Sequence, residues 1–294
     1  MVSKVVIPVA GQGTRMLPAS KSVPKEMLPV VDRPGLAWVV DEAVRAGLTE
    51  IILVTSAGKS AVEDYFDRAP SLEQALEAKG KTGLLDEVRH PVPDNVNIVS
   101  VRQGEPLGLG HAVYCARRVV GDEPFAVMLA DVLVDGVGGR EDLAAMIERY
   151  RGTGSAQVMV ETVPDNQVHQ YGIARISDAS PEVGASVAME GIVEKPTLTE
   201  APSNFSVVGR YVLPAAVMDL LADTPPGAGD EIQLTDAIAR LMETETVEAY
   251  AMRGMTFDCG SKMGYLEAIL HFARQHPELG DAARGLIERY ASGD

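Results

Sequence analysis

One stretch near the amino terminus decides the fold: Val5-Val6-Ile7-Pro8-Val9-Ala10-Gly11-Gln12-Gly13-Thr14-Arg15. Its continuous apolar first half predicts a strand that is buried on both faces, as strands of a parallel sheet are. The two glycines that follow permit a tight turn and let backbone N–H groups approach an anion. Because open α/β sheets bind ligands at the carboxyl ends of their strands, this loop is a candidate binding site.

Strands and helices alternate along the chain after this loop. Apolar residues at helical spacing from Pro34 to Gly47, with a glycine at the end, predict the first helix. Further patterns predict strands at residues 51–55, 96–101 and 125–129, and helices at 60–67, 71–79, 84–89 and 109–119. Such alternation predicts an α/β fold with a Rossmann-like doubly wound, mostly parallel sheet.

The pattern beyond residue 150 is more mixed. Strands are predicted at residues 157–163, 173–176, 187–193 and 207–213, and helices at 231–242 and 262–275. We expect the later strands to be added to the same sheet, over the binding site. The predicted organisation is one domain of residues 1–294, with parts at 1–150 and 151–260 followed by C-terminal helices at 261–294.

Charge and cysteine content exclude several classes of protein. The 294 residues include 42 acidic and 26 basic side chains, a net charge of −16 that opposes binding to nucleic acid or an anionic membrane. Residues 1–27 nevertheless hold four cations and one acid, which favours a small anionic ligand there. Two cysteines give no disulfide framework, and the chain shows no signal peptide or membrane-spanning run. We therefore predict a cytoplasmic protein with reduced thiols.

The glycine-rich loop does not fit the common nucleotide motifs. The dinucleotide fingerprint requires a glycine three residues after Gly13, where this chain has Met16, so a nicotinamide dehydrogenase is disfavoured. The pattern of a P-loop is also absent. On its own, Gly11-Gln12-Gly13 is as compatible with a tight turn as with a phosphate site.

The longer run at residues 11–30, with prolines at 18, 24 and 29, resembles the signature of the sugar-nucleotide pyrophosphorylases. The resemblance extends over nearly the whole chain and is closest to the subgroup that uses UTP. Segments typical of that subgroup lie at residues 24–29, 103–112, 225–236 and 257–262. The resemblance implies transfer of a uridylyl group from UTP to glucose 1-phosphate, giving UDP-glucose and pyrophosphate, in a homodimer or homotetramer.

The resemblance also implies roles for individual residues. Arg15 would hold the departing phosphates, Lys25 would neutralise the α-phosphate, and Lys195 would hold the sugar phosphate, and these are the predicted catalytic residues. The predicted nucleotide-binding residues are Ala10, Gly11, Gly13, Thr14, Glu26, Gln103 and Gly108. A glycine at 108 is expected because the base would pack against backbone there. His111 is expected to be structural, since the attacking phosphate is already an anion and needs no base.

The sugar and metal sites follow from the same resemblance. Gly172, Glu194 and Gly209 are the predicted sugar-binding residues, and Asp131 and Asp258 are the predicted ligands of Mg²⁺, which prefers oxygen. One departure is Ala130, where similar enzymes usually have proline before the first aspartate, and the chain should be slightly freer there. A thymidylyltransferase and a non-catalytic regulatory paralogue are the alternative interpretations.

Overall fold

The computed structural model describes residues 1–136, 141–177 and 181–292. The thirteen strands in the described residues are β1 Lys4–Pro8, β2 Pro29–Val30, β3 Arg33–Pro34, β4 Glu50–Thr55, β5 Asn97–Arg102, β6 Phe125–Met128, β7 Val132–Asp135, β8 Ala156–Thr162, β9 Gly172–Ile176, β10 Ser186–Glu194, β11 Phe205–Leu213, β12 Val247–Ala251 and β13 Met255–Asp258. The α-helices described are α1 Gly35–Arg45, α2 Ser60–Asp64, α3 Pro70–Ala78, α4 Thr82–Arg89, α5 Leu109–Cys115, α6 Arg117–Val120, α7 Asp142–Thr153, α8 Ala216–Ala222, α9 Leu234–Leu241, α10 Lys262–Gln275 and α11 Gly280–Ser292.

Nine of these strands form one sheet in the order β5-β4-β1-β6-β11-β8-β12-β10-β9. Strands β5, β4, β1 and β6 are parallel to one another, as the alternation of strands and helices predicts. The sheet becomes mixed beyond β6, because β11 is antiparallel to both β6 and β8 and β10 is antiparallel to both β12 and β9. The α/β fold is confirmed, and its parallel character is strongest in the first half.

Apolar clusters lie on both faces of this sheet. On one face, α1, α7 and α10 pack against the sheet around Leu36, Met146 and Phe272. On the other face, α5, α8 and α9 pack around Val113, Leu221 and Ile238. Strand β1 contributes alternate side chains to the two clusters, which explains why its sequence is continuously apolar.

Several elements were absent from the sequence-based prediction. These are helices α7 and α8 and strands β7 and β12; polar residues dilute the apolar pattern of α7, whereas the other three are short, with four to seven residues each. The predicted helix at 109–119 is divided into α5 and α6 at Ala116, and the C-terminal helix α10 has the predicted bounds. Within the described ranges, we find no helix that is both long and apolar enough to cross a membrane.

The sheet order places the candidate site. Strand β1 lies between β4 and β6, so its C-terminal loop emerges where the chain connections diverge to opposite sides. A separate two-stranded sheet pairs β7 with β13, and its register places Asp258 opposite Val132. This pairing brings the two predicted metal carboxylates, 127 residues apart in sequence, to the same end of the molecule.

Candidate active site

The loop after β1 wraps around the side chain of Lys25. Gly13 has a φ of 66°, and a Cβ there would lie 3.2 Å from the Lys25 Cβ and 3.3 Å from Ser20. The Ser20 hydroxyl donates a hydrogen bond to the Gly13 carbonyl at 2.7 Å, closing the loop. Glycine at 13 is therefore required twice, by its left-handed conformation and by the space that the lysine stem fills.

Lys25 belongs to a group of four charged side chains, Arg15, Lys25, Asp131 and Asp258, which we call the phosphate cluster. Lys25 donates a hydrogen bond to Asp131 Oδ2. The Arg15 guanidinium lies 3.3 Å from Asp258 Oδ2 and 3.9 Å from Asp131 Oδ2. Two cations and two carboxylates thus alternate at the end of β1 and β6, in the place where the sequence predicts them.

Opposite charges shift the titration of this cluster. Burial opposes the charged form of Lys25, but the Asp131 carboxylate outweighs burial and raises the pKa of the lysine. Burial likewise opposes the charged form of Asp131, and the Lys25 ammonium outweighs it and lowers the pKa of that carboxyl. Both groups are therefore held in their charged forms. Lys25 can exchange Asp131 for a phosphate, and Asp131 can exchange Lys25 for a cation.

The two aspartates fit a divalent cation that also binds substrate phosphates. A Cβ placed on Gly260 would lie 2.8 Å from Asp131 Oδ2 and 2.9 Å from Asp258 Oδ1, so both carboxylates border one small space. Mg²⁺ typically takes one or two carboxylates and completes its shell with waters and phosphate oxygens. Two carboxylates are present here, and the described residues hold no group of three or more His, Cys, Asp or Glu side chains that could bind a metal.

The segment that carries Asp131 is held from behind by a buried ion pair. Arg210 is fully buried and binds Glu42 through two nitrogens, at 3.0 Å and 2.7 Å. The same guanidinium donates to the carbonyls of Leu129 at 3.1 Å and Val132 at 2.7 Å, on either side of Asp131. We call Arg210 and Glu42 the clamp. It holds the carbonyls on either side of Asp131, close to Ala130, and the effect of the missing proline stays a prediction.

Gln103 and Gly108 lie together beyond the ends of β4 and β5. The Gln103 backbone N–H donates to Thr55, and its side-chain nitrogen donates to the Gly108 carbonyl at 3.1 Å. Gly108 has a φ of 109°, and a Cβ there would lie 2.7 Å from both Glu231 Cβ and the Ile232 carbonyl. The segment before α9 therefore already requires a glycine at 108, and the packing of a base against this backbone stays a prediction.

Glu26 is turned into the protein and not toward the loop. Its carboxylate accepts a hydrogen bond from Lys59 at 2.7 Å, and both side chains are buried. Burial raises the pKa of Glu26 in spite of this lysine. Any contact with a nucleotide must come from the backbone or from the edge of this pair, and its binding role stays a prediction.

Two of the three predicted sugar-binding residues, Gly172 and Glu194, line a small cavity between β9, β10 and α9. The register of the antiparallel pair sets Glu194 opposite Gly172, and the Thr235 hydroxyl donates to Glu194 Oε2 at 3.1 Å. Tyr171 also lines the cavity, and its pKa is raised by burial and then by the charge of Asp258. Leu129, two residues before Asp131, lines the same cavity, so the sugar cavity adjoins the segment that carries this member of the phosphate cluster.

Lys195 and Gly209 differ in their position relative to the sugar cavity. Lys195 has a φ of 46°, uncommon for a residue with a side chain, and its Nζ lies 3.6 Å from Glu194 Oε1 at the mouth of the cavity. Gly209 is not among the residues that line the cavity. A Cβ at this position would lie 2.6 Å from the side chain of Leu129. Leu129 lines the cavity instead, so Gly209 serves to admit that leucine.

Sequence reasoning missed the partners that hold these residues. Lys59 and Thr235 gave no signal as isolated residues, and the segment at 225–236 was noted without a role. A cavity of about 490 Å³ lies elsewhere, lined by Trp38, Leu133 and Phe272, and none of the predicted site residues contributes to it. Cavity size therefore does not identify this site, and the convergence of charges does.

Known proteins share both the sequence and the fold. The chain matches the nucleotidyl transferase family over residues 4–275. It is 53% identical over 291 residues to the UTP–glucose-1-phosphate uridylyltransferase of Haemophilus influenzae, covering 98% of this chain and 99% of that protein. A UTP-bound UGPase from Acinetobacter baumannii is 58% identical with a TM-score of 0.93, covering 98% of this chain and 99% of its own. A UDP-glucose pyrophosphorylase complexed with UDP-glucose is 36% identical with a TM-score of 0.82, covering 94% and 100%.

Proposed function

This chain belongs to the nucleotidyl transferase family, and from that premise we propose that it transfers a uridylyl group from UTP to α-D-glucose 1-phosphate. The products are UDP-glucose and pyrophosphate. The relatives support both substrates, since one related structure contains UTP and another contains UDP-glucose. The observation that carries the proposal is the phosphate cluster, which sets two cations and two carboxylates beside a glycine-rich loop.

The reaction needs charge neutralisation and orientation more than proton transfer. An oxygen of the sugar phosphate attacks the α-phosphorus of UTP in line, and the bond from that phosphorus to the β-phosphate oxygen breaks. Lys25 would leave Asp131 and stabilise the charge on the α-phosphate. Arg15 would hold the departing pyrophosphate, and Lys195 would lower the repulsion between the sugar phosphate and the triphosphate.

We propose Mg²⁺ as the divalent metal, held by Asp131 and Asp258 together with substrate phosphates. When bound, Mg²⁺ would neutralise charge on the phosphates. The chain's own contribution is the geometry: the clamp fixes the backbone beside Asp131, and the Gly260 N–H donates to Asp258 Oδ1 at 2.9 Å. Both carboxylates are thereby presented to one space before any ligand enters.

The two ends of the site would bind the two halves of the product. Residues 1–150 would form the nucleotide-binding half, with the loop residues Ala10 to Thr14 at the phosphates and Gln103 and Gly108 at the base. Residues 151–260 would form the sugar-binding half, where the Glu194 carboxylate would accept hydrogen bonds from hexose hydroxyls and the Gly172 backbone would contact the hexose. The C-terminal helices at 261–294 would contribute subunit contacts.

A matrix of pyrophosphate-release assays tests the proposal. UTP and dTTP are each combined with glucose, galactose and mannose 1-phosphates, with and without Mg²⁺. We expect release from UTP only when glucose 1-phosphate and the metal are both present. A higher kcat/KM with dTTP would support the thymidylyltransferase, and tight UDP-glucose binding without turnover would support the non-catalytic paralogue.

We further propose a cytoplasmic homodimer or homotetramer. Helix α10 exposes Met263, Leu266 and Leu270 at helical spacing, with side chains between 42% and 73% exposed. Apolar groups so arranged on one helix are typical of a subunit contact. Light scattering coupled to size-exclusion chromatography measures the mass, and a monomer of 31.3 kDa would contradict this proposal.

A further inference from the structure

The side chain of Gln103 is held on two sides. Its Nε2 lies 3.1 Å from the Gly108 carbonyl and 3.1 Å from His111 Nδ1. A carbonyl oxygen can only accept, so the nitrogen of the amide must face Gly108. The Gln103 amide donates one proton to the Gly108 carbonyl and the other to the His111 imidazole. Neither amide proton is therefore available to a ligand.

The tautomer of His111 follows from the same contact. A ring nitrogen that accepts from an amide carries no proton, so the proton of neutral His111 lies on Nε2. That nitrogen is 3.8 Å from the sulfur of Cys115, one helical turn further along α5. The imidazole is therefore an acceptor toward Gln103 and is oriented by its own helix.

We infer that His111 is a positioning residue that selects uracil over cytosine by presenting Gln103 Oε1 to the base. This inference rests on the proposed use of UTP. Once both amide protons are engaged, the carbonyl oxygen is the only group that Gln103 can offer to a ligand. Uracil has an N–H at position 3, which donates to such an oxygen, whereas position 3 of cytosine is an acceptor and is repelled.

The loop geometry strengthens this arrangement. The Gly108 carbonyl also accepts the backbone N–H of Ala112 at 3.1 Å, so it is fixed to the first turn of α5. The Gln103 side chain is buried, with 8% of the residue exposed, and cannot easily adopt another conformation. Loss of the imidazole acceptor would leave one amide proton without a partner and allow the amide to turn toward Gly108 alone.

The test compares His111→Leu with His111→Asn. The Asn Oδ1 atom can take the place of the Nδ1 acceptor, whereas Leu has no acceptor. For His111→Leu we expect KM for UTP to rise about tenfold and the UTP-to-CTP ratio of kcat/KM to fall about tenfold, with kcat at saturating UTP within about threefold of wild type. His111→Asn should restore most of the UTP-to-CTP ratio.

Three controls separate this role from a merely structural one. Thymine has the same N–H at position 3, so the UTP-to-dTTP ratio should not change in His111→Leu. In a Gln103→Ala background, His111→Leu should leave the UTP-to-CTP ratio unchanged, because the residue through which it acts is gone. Tyr114→Phe, on the same helix and without contact to Gln103, should behave as wild type.

The outcomes are distinguishable. A wild-type protein that releases no pyrophosphate from UTP and glucose 1-phosphate would overturn the proposed function. An active wild type with an unchanged UTP-to-CTP ratio in His111→Leu would overturn only the role of His111. If His111→Leu does not fold, His111→Phe keeps the ring without an acceptor, and calorimetric titration of UTP and CTP gives the same comparison without turnover.

Discussion

Two ion pairs flank the same short segment of chain, and they differ in burial. In front of Asp131 is the phosphate cluster, whose Arg15 side chain is 61% exposed and whose Lys25 side chain is 18% exposed. Behind it is the clamp, whose Arg210 and Glu42 side chains are 0% and 2% exposed. Both regions are made of the same chemical groups, an arginine or lysine with a carboxylate.

Because the two pairs differ in burial, they have different roles. A partly exposed pair can exchange its partner for an incoming phosphate or metal at small cost, since water can solvate the groups as they separate. A fully buried pair cannot open, because removing one member leaves an unpaired charge away from water. The cluster is therefore suited to exchanging its partners during the reaction, and the clamp is suited to holding the backbone in position. This is the division of roles that the two pairs show.

The largest expected effect is on catalysis by the cluster. Lys25→Ala should lower kcat by at least about 10³-fold, because the charge on the α-phosphate loses its main side-chain partner. The free energy of unfolding should fall by about 1–2 kcal/mol, less than for the fully buried clamp, since Arg15 remains near Asp131. Steady-state pyrophosphate release and urea unfolding measure the two quantities.

Lys21→Ala is the matched control, because this exposed lysine belongs to the same loop and, among the described residues, its side chain forms no ion pair or hydrogen bond with the cluster. Its activity and stability should match wild type. Equal activities of Lys25→Ala and Lys21→Ala would remove Lys25 from the mechanism. They would also contradict the catalytic role given to the cluster.

For the clamp we expect the opposite result, in which stability is the quantity that changes most. Arg210→Met should lower the free energy of unfolding by about 3 kcal/mol or more, because Glu42 is left as a buried unpaired charge. Arg45→Met, on the same helix as Glu42, removes the exposed pair with Glu141 and should cost less than about 1 kcal/mol. Equal losses in these two variants, measured by denaturant unfolding, would contradict the division.

A smaller effect concerns the pH dependence of the cluster. Lys25 lowers the folded-state pKa of Asp131, so the stability from this pair is present above the ordinary aspartate value of 3.8 and is lost as pH falls through the lower folded value. The raised pKa of Lys25 gives the converse loss as pH rises past 10.5. The stability difference between wild type and Lys25→Ala should therefore shrink at both extremes. A difference that is constant from pH 3 to pH 8 in urea titrations would refute the coupling.

The smallest effect is expected at Ala130. Replacing it by proline, as in similar enzymes, should change stability by no more than about 1 kcal/mol and kcat by less than about threefold. The reason is that Arg210 already holds the carbonyls of Leu129 and Val132. Thermal unfolding and steady-state kinetics check both values, and a large gain in kcat would show that the clamp alone does not fix Asp131.

The sequence predicts the first half of the site better than the second. Residues at the carboxyl ends of parallel strands must meet at one edge, so Gly11, Lys25, Gln103 and Asp131 could be brought together from the strand pattern and the family resemblance. The second half depends on antiparallel register, which sets Glu194 opposite Gly172. A shift of one residue would reverse every side chain of that strand, and the sequence does not fix the shift.

Partners distant in sequence are the part that could not be predicted. Glu26 was predicted to bind the nucleotide, but its buried partner Lys59 lies 33 residues away, immediately before α2. The family resemblance predicts that a base packs against Gly108, but it does not predict the close approach of Gly108 to the 231–232 backbone. Such contacts depend on how helices and loops pack over the sheet, and no local pattern records them.

What the sequence determined by itself was the class of fold and the identity of the charged groups, because apolar periodicity and a long motif are local properties of a chain. What only the tertiary structure decided was which charge faces which. Arg15 and Arg210 are the same residue type with the same side-chain chemistry. Packing leaves one at the surface beside two aspartates and encloses the other behind them. Burial sets the cost of separating a charge from its partner, and so it decides which pair can react and which can only hold.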